Sequence, residues 1–356
     1  MSRWSESRGV YDDICYLRQA HLFQKFGFEG LDTNFSGDDD HYLSEKLKAI
    51  GFTALQQPPC HTLMPATNRL VMQYPPGTGF VLAAFPEGFQ AIPLYVLTTV
   101  IIFGLALFGI YCARTTPAIF LAAGFGCLAI YLMINPTKAS YSMAPTMVVC
   151  ALAGLLTARF FSTGQRSHRL LLAGLIGLII GLSVNFRLPN LLLLSGYVLF
   201  FGIAFLSSPK IELALQGALF GVAFLAGMAP TLLANAINAG SPFSTTYGGV
   251  DVTAPDFSFG IVWHYIADMQ FVLLVLAGAW TVLMWRSNRK DGMSRIALVT
   301  AANLLLNVAF FLSHPIFTPY YTIPIAMLSL WSLLFASLTP PAEAVDEGSL
   351  GQAVKA

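Results

Sequence analysis

The sequence predicts an all-α integral membrane protein: about nine transmembrane helices preceded by an extracytoplasmic, partly helical N-terminal segment. Three observations carry that prediction. Of 356 residues, 56% are hydrophobic and only 10% charged, with a mean hydropathy of +0.66, whereas a soluble chain carries roughly a quarter charged residues. The apolar residues fall in long unbroken runs that match the ~20 residues a helix needs to cross a bilayer, and not in the alternating ten-residue segments of an outer-membrane barrel. Most of the acidic residues lie in the first 91 positions, which contain no long apolar run. The chain therefore divides into an acidic head (1–91), a helical bundle (92–338) and a disordered tail (339–356). A net charge of +1, from 19 basic and 18 acidic residues, leaves no bulk field for nucleic acid or another polyanion.

The head opens with Tyr11-Asp12-Asp13-Ile14-Cys15-Tyr16-Leu17-Arg18-Gln19-Ala20, which reads as an amphipathic helix with carboxylates at its positive end. Asp12 and Asp13 fit simple N-capping, a divalent cation held through oxygen, or a general base acting on a hydroxyl. Asp32 is a lone acid that could return toward Asp12, and Asp38, Asp39 and Asp40 with His41 read as a solvated turn. Cys15 and Cys60 can pair only if the head lies outside the cytoplasm, and no spacing rule favours the bond. Cys112, Cys127 and Cys150 fall inside apolar runs, as small buried hydrophobes. Tyr74-Pro75-Pro76-Gly77-Thr78-Gly79 lacks the Gly-Lys-Ser/Thr ending of a phosphate loop; it reads as a rigid junction before a short apolar piece, Phe80 to Phe85, that dips toward the interface.

Apolar runs follow at about 92–112, 117–133, 142–160, 169–184, 189–206, 213–236, 269–285, 295–313 and 317–338, some spanning only with snorkelling or thinning. Arg114; Arg159, Arg166 and Arg169; Lys210; and Arg286, Arg289, Lys290 and Arg295 fall on one side, against Lys138 and Arg187 on the other. The basic side is cytoplasmic by the positive-inside rule. The head, the 237–262 loop and His314 are thereby placed outside and the tail inside, with a bacterial inner membrane preferred. The head carries no signal peptide, so either the first span pulls it across or a start lies upstream and one helix is missing here; the second reading is favoured.

On the outer face, Arg187 in Asn185-Phe186-Arg187-Leu188-Pro189 either snorkels or offers its planar fork to a phosphate at headgroup depth. Gly240-Ser241-Pro242-Phe243-Ser244-Thr245-Thr246-Tyr247 suits sugar stacking and ordinary turn chemistry equally. His314-Pro315 and Tyr320-Tyr321 mark an aromatic belt. Gly177 and Gly181 make a small-xxx-small packing pair. Asp268 sits at a span boundary, so the midplane acids of a proton-coupled transporter are missing.

In this order the segments resemble the polytopic GT-C glycosyltransferases, among them the dolichyl-phosphate-mannose-dependent mannosyltransferases and bacterial aminoarabinose transferases. The likeness rests on Asp12-Asp13-x-x-Tyr16 with a helix ending near Gly27, Tyr74-Pro75-Pro76-Gly77, Gly181-Leu182-Ser183 with Arg187, Asn235 with Gly240-Ser241-Pro242-Phe243, and Tyr320-Tyr321-x-x-Pro324. It covers roughly residues 9–330 in short, loose motifs. The helix that precedes the acidic loop in that family has no counterpart here. The resemblance implies transfer of a sugar, with inversion, from a polyprenyl-phosphate donor to a hydroxyl on a glycan, lipid or protein. Asp12 and Asp13 inherit the catalytic role, as base or as ligands of magnesium or manganese. Arg187 would stabilise the departing phosphate, and Tyr16, Tyr247, His314, Tyr320 and Tyr321 are candidates for substrate contact. The competing readings are a transporter or flippase of lipid-linked saccharide, using the same groups only to bind, and an inactive relative.

Overall fold

The computed structural model describes residues 11–37, 40–49, 51, 58–134, 140–247, 255, 259–286, 291–314 and 321–339. Eight helices among them are long and apolar enough to cross a membrane. They are α4 (Ala91–Cys112), α5 (Thr116–Ile134), α6 (Met143–Ser162), α7 (Arg166–Val184), the segment Leu188–Ser207 containing α8 (Ser195–Ser207), α9 (Ile211–Ala239), α11 (Met269–Arg286) and α12 (Asp291–Ser313). The ninth expected run yields α13 (Ile323–Leu338), of only 16 residues. At 1.5 Å per residue it spans roughly 24 Å, short of a 30 Å core. Its residues Ile323 to Ala336 are all buried, as befits a helix apolar on every side, and it lies inside the bundle against α6, α11 and α12.

Three boundaries differ from the sequence reading. The run at 189–206 starts as a 3-10 turn, Leu188–Leu194, because Pro189 opens it. Helix α9 continues to Ala239 and ends at Gly240, whose φ of +82° stops the helix. The 237–262 loop gives way to a further short helix, α10 (Phe259–Ala267). Asp268 caps the next helix, accepting the Gln270 N–H at 3.0 Å.

With apolar lipid as solvent, close packing and buried polar pairs replace the hydrophobic drive between helices. Gly177 and Gly181 lie so close to α9 that a Cβ on either would collide with the Phe220 or Phe224 carbonyl, so the small-xxx-small pair is a helix contact. Asn303 on α12 accepts the Gly196 N–H at 2.6 Å, a donor that the start of α8 leaves unpaired, and Asn307 adds a 3.1 Å bond to the Leu192 carbonyl.

The head carries α1 (Tyr11–Phe26), α2 (Tyr42–Ala49), a two-stranded hairpin, and α3 (Gly77–Ala83). Strands β1 (His61–Met64) and β2 (Arg69–Met72) run antiparallel in the register His61↔Met72 to Met64↔Arg69. Asn68 takes φ +50° in the turn between them, a conformation its short polar side chain tolerates. Helix α1 ends before Gly27, as expected, but it is not a surface amphipathic helix: Asp13 to Ala20 are all buried. Cys15 and Cys60 are disulfide-bonded, tying α1 to the start of the hairpin. The N-terminal ten residues, the tail from 340, Asp38, Asp39, Lys138, Arg289 and Lys290 lie outside the described residues.

Candidate functional site

The two aspartates that open α1 separate in role because neighbouring helix positions diverge by about 100°. Asp13 has no exposed surface and accepts the Tyr141 backbone N–H at 2.8 Å, holding α1 against the start of α6. Asp12 is half-buried and accepts the Tyr74 hydroxyl proton at 2.7 Å. Of the pair, Asp12 is the carboxylate a substrate can reach.

Tyr74 is delivered by the Pro-Pro-Gly turn. Its ring stacks on Tyr16 at 4.9 Å and meets Tyr247 edge-on at 6.2 Å. The turn itself is clamped from both sides. The Gly77 N–H donates to the Asn185 carbonyl at 2.7 Å and the Thr78 hydroxyl to the Phe186 carbonyl at 3.2 Å. A Cβ on Gly77 would strike Asn185, and one on Gly79 would strike Gln19 of α1. These two glycines thus let α3 wedge between the acidic helix and the end of α7.

The same contact fixes Arg187. Asn185 donates to the Gly227 carbonyl at 2.7 Å and accepts the Thr231 N–H at 2.9 Å, groups one turn apart on α9 with Pro230 between them. Two residues beyond Arg187, Pro189 opens the 3-10 turn, and Asn190 donates to Ser183 and Thr146 at 2.9 and 3.0 Å. Held on both sides, Arg187 is only 5% exposed, so it does not snorkel. Its guanidinium lies over the Tyr321 ring at 5.6 Å and donates to the Met143 sulfur at 2.8 Å.

Tyr247 meets the edge of Tyr74 and is subject to the charges of both Asp12 and Arg187. Burial pushes its phenol well above the ordinary value; Tyr16, Tyr321 and the Asp12 carboxylate push the same way, and Arg187 opposes them. Tyr74 is raised likewise, by burial first and then by Asp12. Both phenols therefore remain protonated donors. Thr246 anchors this stretch through a 2.7 Å bond to the Gln73 carbonyl, and Asn235 through a 3.2 Å bond to the Pro242 carbonyl.

Asp12, Tyr16 and Tyr247 therefore meet around Tyr74, while Arg187 pairs with Tyr321. His314 does not join them: its ring stacks on Phe310 at 4.1 Å and Nδ1 lies 3.0 Å from the Ser313 hydroxyl. Tyr320 lies outside the described residues. Asp32 turns to Arg69 at 3.1 Å instead of toward Asp12, and Asp40 pairs with His21 and Lys25 at 2.8 and 2.9 Å. Tyr74, which the sequence placed only in a structural turn, is the residue the reading missed; its position next to Pro-Pro gave no sign that its hydroxyl reaches Asp12.

Asp12 and Asp13 engage different partners, and no group of three or more His, Cys, Asp or Glu side chains stands together among the described residues. What the arrangement offers is a carboxylate able to accept a proton and a buried cation, each with aromatic rings beside it. No family model, curated protein or solved structure matches this chain.

Proposed function

We propose that the chain is a membrane glycosyltransferase that moves a sugar from a polyprenyl-phosphate donor to an acceptor hydroxyl on the head side of the membrane. The observation that supports this reading is the Asp12 carboxylate held by Tyr74 in the cluster Tyr16–Tyr74–Tyr247, with the phenol of Tyr247 subject to the charges of both Asp12 and the buried Arg187. A carboxylate and a guanidinium so arranged suit the two ends of an in-line displacement at the anomeric carbon. The acceptor oxygen attacks that carbon as its proton passes to Asp12, and the bond from the carbon to the phosphate oxygen breaks with inversion. The departing phosphate gains negative charge, which Arg187 stabilises. The sugar packs against the half-buried rings of Tyr74 and Tyr247, with Tyr16 stacked behind Tyr74 as support. No step requires a metal.

The test is release of free polyprenyl phosphate from radiolabelled polyprenyl-phosphate hexoses and pentoses, by membranes carrying the wild type, Asp12→Asn or Arg187→Gln. Donor-dependent release by the wild type that falls at least a hundredfold in Asp12→Asn, in line with the usual worth of a general base of about 10²–10⁴, supports transfer. Binding of the donor without release, by folded wild-type protein, overturns it in favour of a transporter.

A further inference from the structure

Helix α6 begins beside the candidate site, where Met143 meets Arg187, and its last turn carries Arg159 at the other end of the bundle, roughly 24 Å away along the helix. There a cleft of about 420 Å³ opens between the end of α6 and the start of α7, lined by Arg159, Ser162, Thr163, His168, Leu171 and Leu172. Its neighbouring cations are already engaged: Arg166 pairs with Glu212 at 3.2 Å, and Arg169 donates to the Thr163 carbonyl at 2.8 Å. Arg159 and His168 face the cleft, and no described acidic side chain pairs with either. Just below them Leu171 is 59% exposed on the bundle's outer surface, where acyl chains lie.

We propose that this cleft binds a phosphate group, supplied by an anionic phospholipid headgroup in the leaflet remote from Asp12. Arg159 provides a planar donor fork suited to phosphate oxygens. His168 and the Ser162 and Thr163 hydroxyls complete the donors, and Leu171 and Leu172 receive the first methylenes of the chain. A basic pocket between spanning helices at headgroup level is a known means of holding an acidic lipid. The site is separate from the transfer chemistry above and stands or falls without it.

Full-length protein in neutral detergent is titrated with phosphatidylglycerol, phosphatidylcholine or inorganic phosphate, reading bound lipid by native mass spectrometry and melting temperature by tryptophan fluorescence. Wild type retains one phosphatidylglycerol and is stabilised by it, and phosphatidylcholine does neither. Arg159→Gln and His168→Gln each weaken retention about tenfold, the worth of one charge-assisted hydrogen bond. Arg286→Gln, a cation at the same end of the bundle but outside the cleft, leaves it unchanged. Arg159 also complements the negative end of α6, so the deciding quantity is the melting-temperature gain on adding lipid and not the starting value. Millimolar inorganic phosphate that displaces the lipid and reproduces the gain assigns the same phosphate chemistry to a free anion. Equal retention by wild type and both cleft variants, or an equal loss in Arg286→Gln, overturns the proposal.

Discussion

At the scale of single residues, Tyr74 and Asp12 form the pair whose separation is most informative. Replacing Tyr74 by Phe keeps the ring stacked on Tyr16 but removes the proton donated to Asp12. A hydrogen bond to a charged group is worth about 1.5–3 kcal/mol, so Tyr74→Phe lowers kcat about tenfold with little change in KM, because it disturbs the base and not the apolar wall. An unchanged kcat in the folded variant would remove Tyr74 from the mechanism. Asp13 behaves differently: Asp13→Ala strands the buried Tyr141 N–H and lowers stability by about 1–3 kcal/mol, whereas Asp13→Asn keeps an acceptor and most of the fold. His61 sets an acid limit on the head. Its Nδ1–H donates to the Pro59 carbonyl at 2.7 Å and Nε2 accepts from Arg18 at 3.0 Å. Burial first, and Arg18 second, bring it down to about 4 from the ordinary 6.5. Between those values the unfolded chain binds the proton and the folded chain does not. The stabilisation is therefore complete above pH 6.5 and is lost as pH falls toward 4, on the order of 3 kcal/mol. Unfolding midpoints taken from pH 7 to 4.5 should fall accordingly, and His61→Gln should flatten the fall. Asp40, held well below the usual carboxylate range by His21 and Lys25, loses its contribution only in stronger acid, outside that window.

At the scale of elements, the seam between α7 and α9 determines where Arg187 can stand. Gly181 admits the Phe224 carbonyl where any Cβ would collide, while Gly221 on α9 has open space around it. Overpacking costs about 1–3 kcal/mol, so Gly181→Ala should destabilise the protein by that amount in steric-trapping measurements, and Gly221→Ala should not; equal effects would show that helix propensity and not contact sets the result. The seam also explains what the sequence could convey. Apolar runs are local, so the long spans could be read directly, and Gly177 and Gly181 announced a packed face. The 3-10 start of α8 was missed because an apolar run hides a change of backbone pitch. The hairpin was missed because two four-residue strands depend on each other, and the Cys15–Cys60 bond was left open because pairing depends on where α1 docks. Asp12 and Arg187 could be singled out by residue type and depth. The chain of contacts that holds them could not, since it passes through Gly77 seated on Asn185, and Asn185 seated on α9 beside Pro230. Each of those contacts joins segments distant in sequence, and no periodicity encodes them.

For the whole molecule, the side of the membrane that the head occupies decides whether the candidate site can work. The basic loops argue that the ends of α4, α6, α8 and α11 face the cytoplasm, and the Cys15–Cys60 bond independently argues that the head folds in an oxidising compartment. The two lines agree: α6 runs from the candidate site at Met143 to Arg159, and α11 from the Gln270–Thr322 pair near Tyr321 to Arg286. The acidic helix and the basic loops thus lie at opposite ends of one bundle. A disulfide closing a loop of this length, with its cysteines 45 positions apart, is worth about 4 kcal/mol in the chain-entropy account. Lys48 is exposed on the head and Gly164 is exposed between α6 and α7, so single cysteines at these positions report the two ends once Cys112, Cys127 and Cys150 are replaced by Ala. In sealed right-side-out vesicles, a membrane-impermeant maleimide should label Lys48→Cys and spare Gly164→Cys, with the pattern reversed in inside-out vesicles. Labelling of Gly164→Cys in the right-side-out preparation would invert the molecule. The candidate site would then face a reducing compartment that does not maintain the disulfide holding α1, and the proposed transfer on the outer face would fall with it.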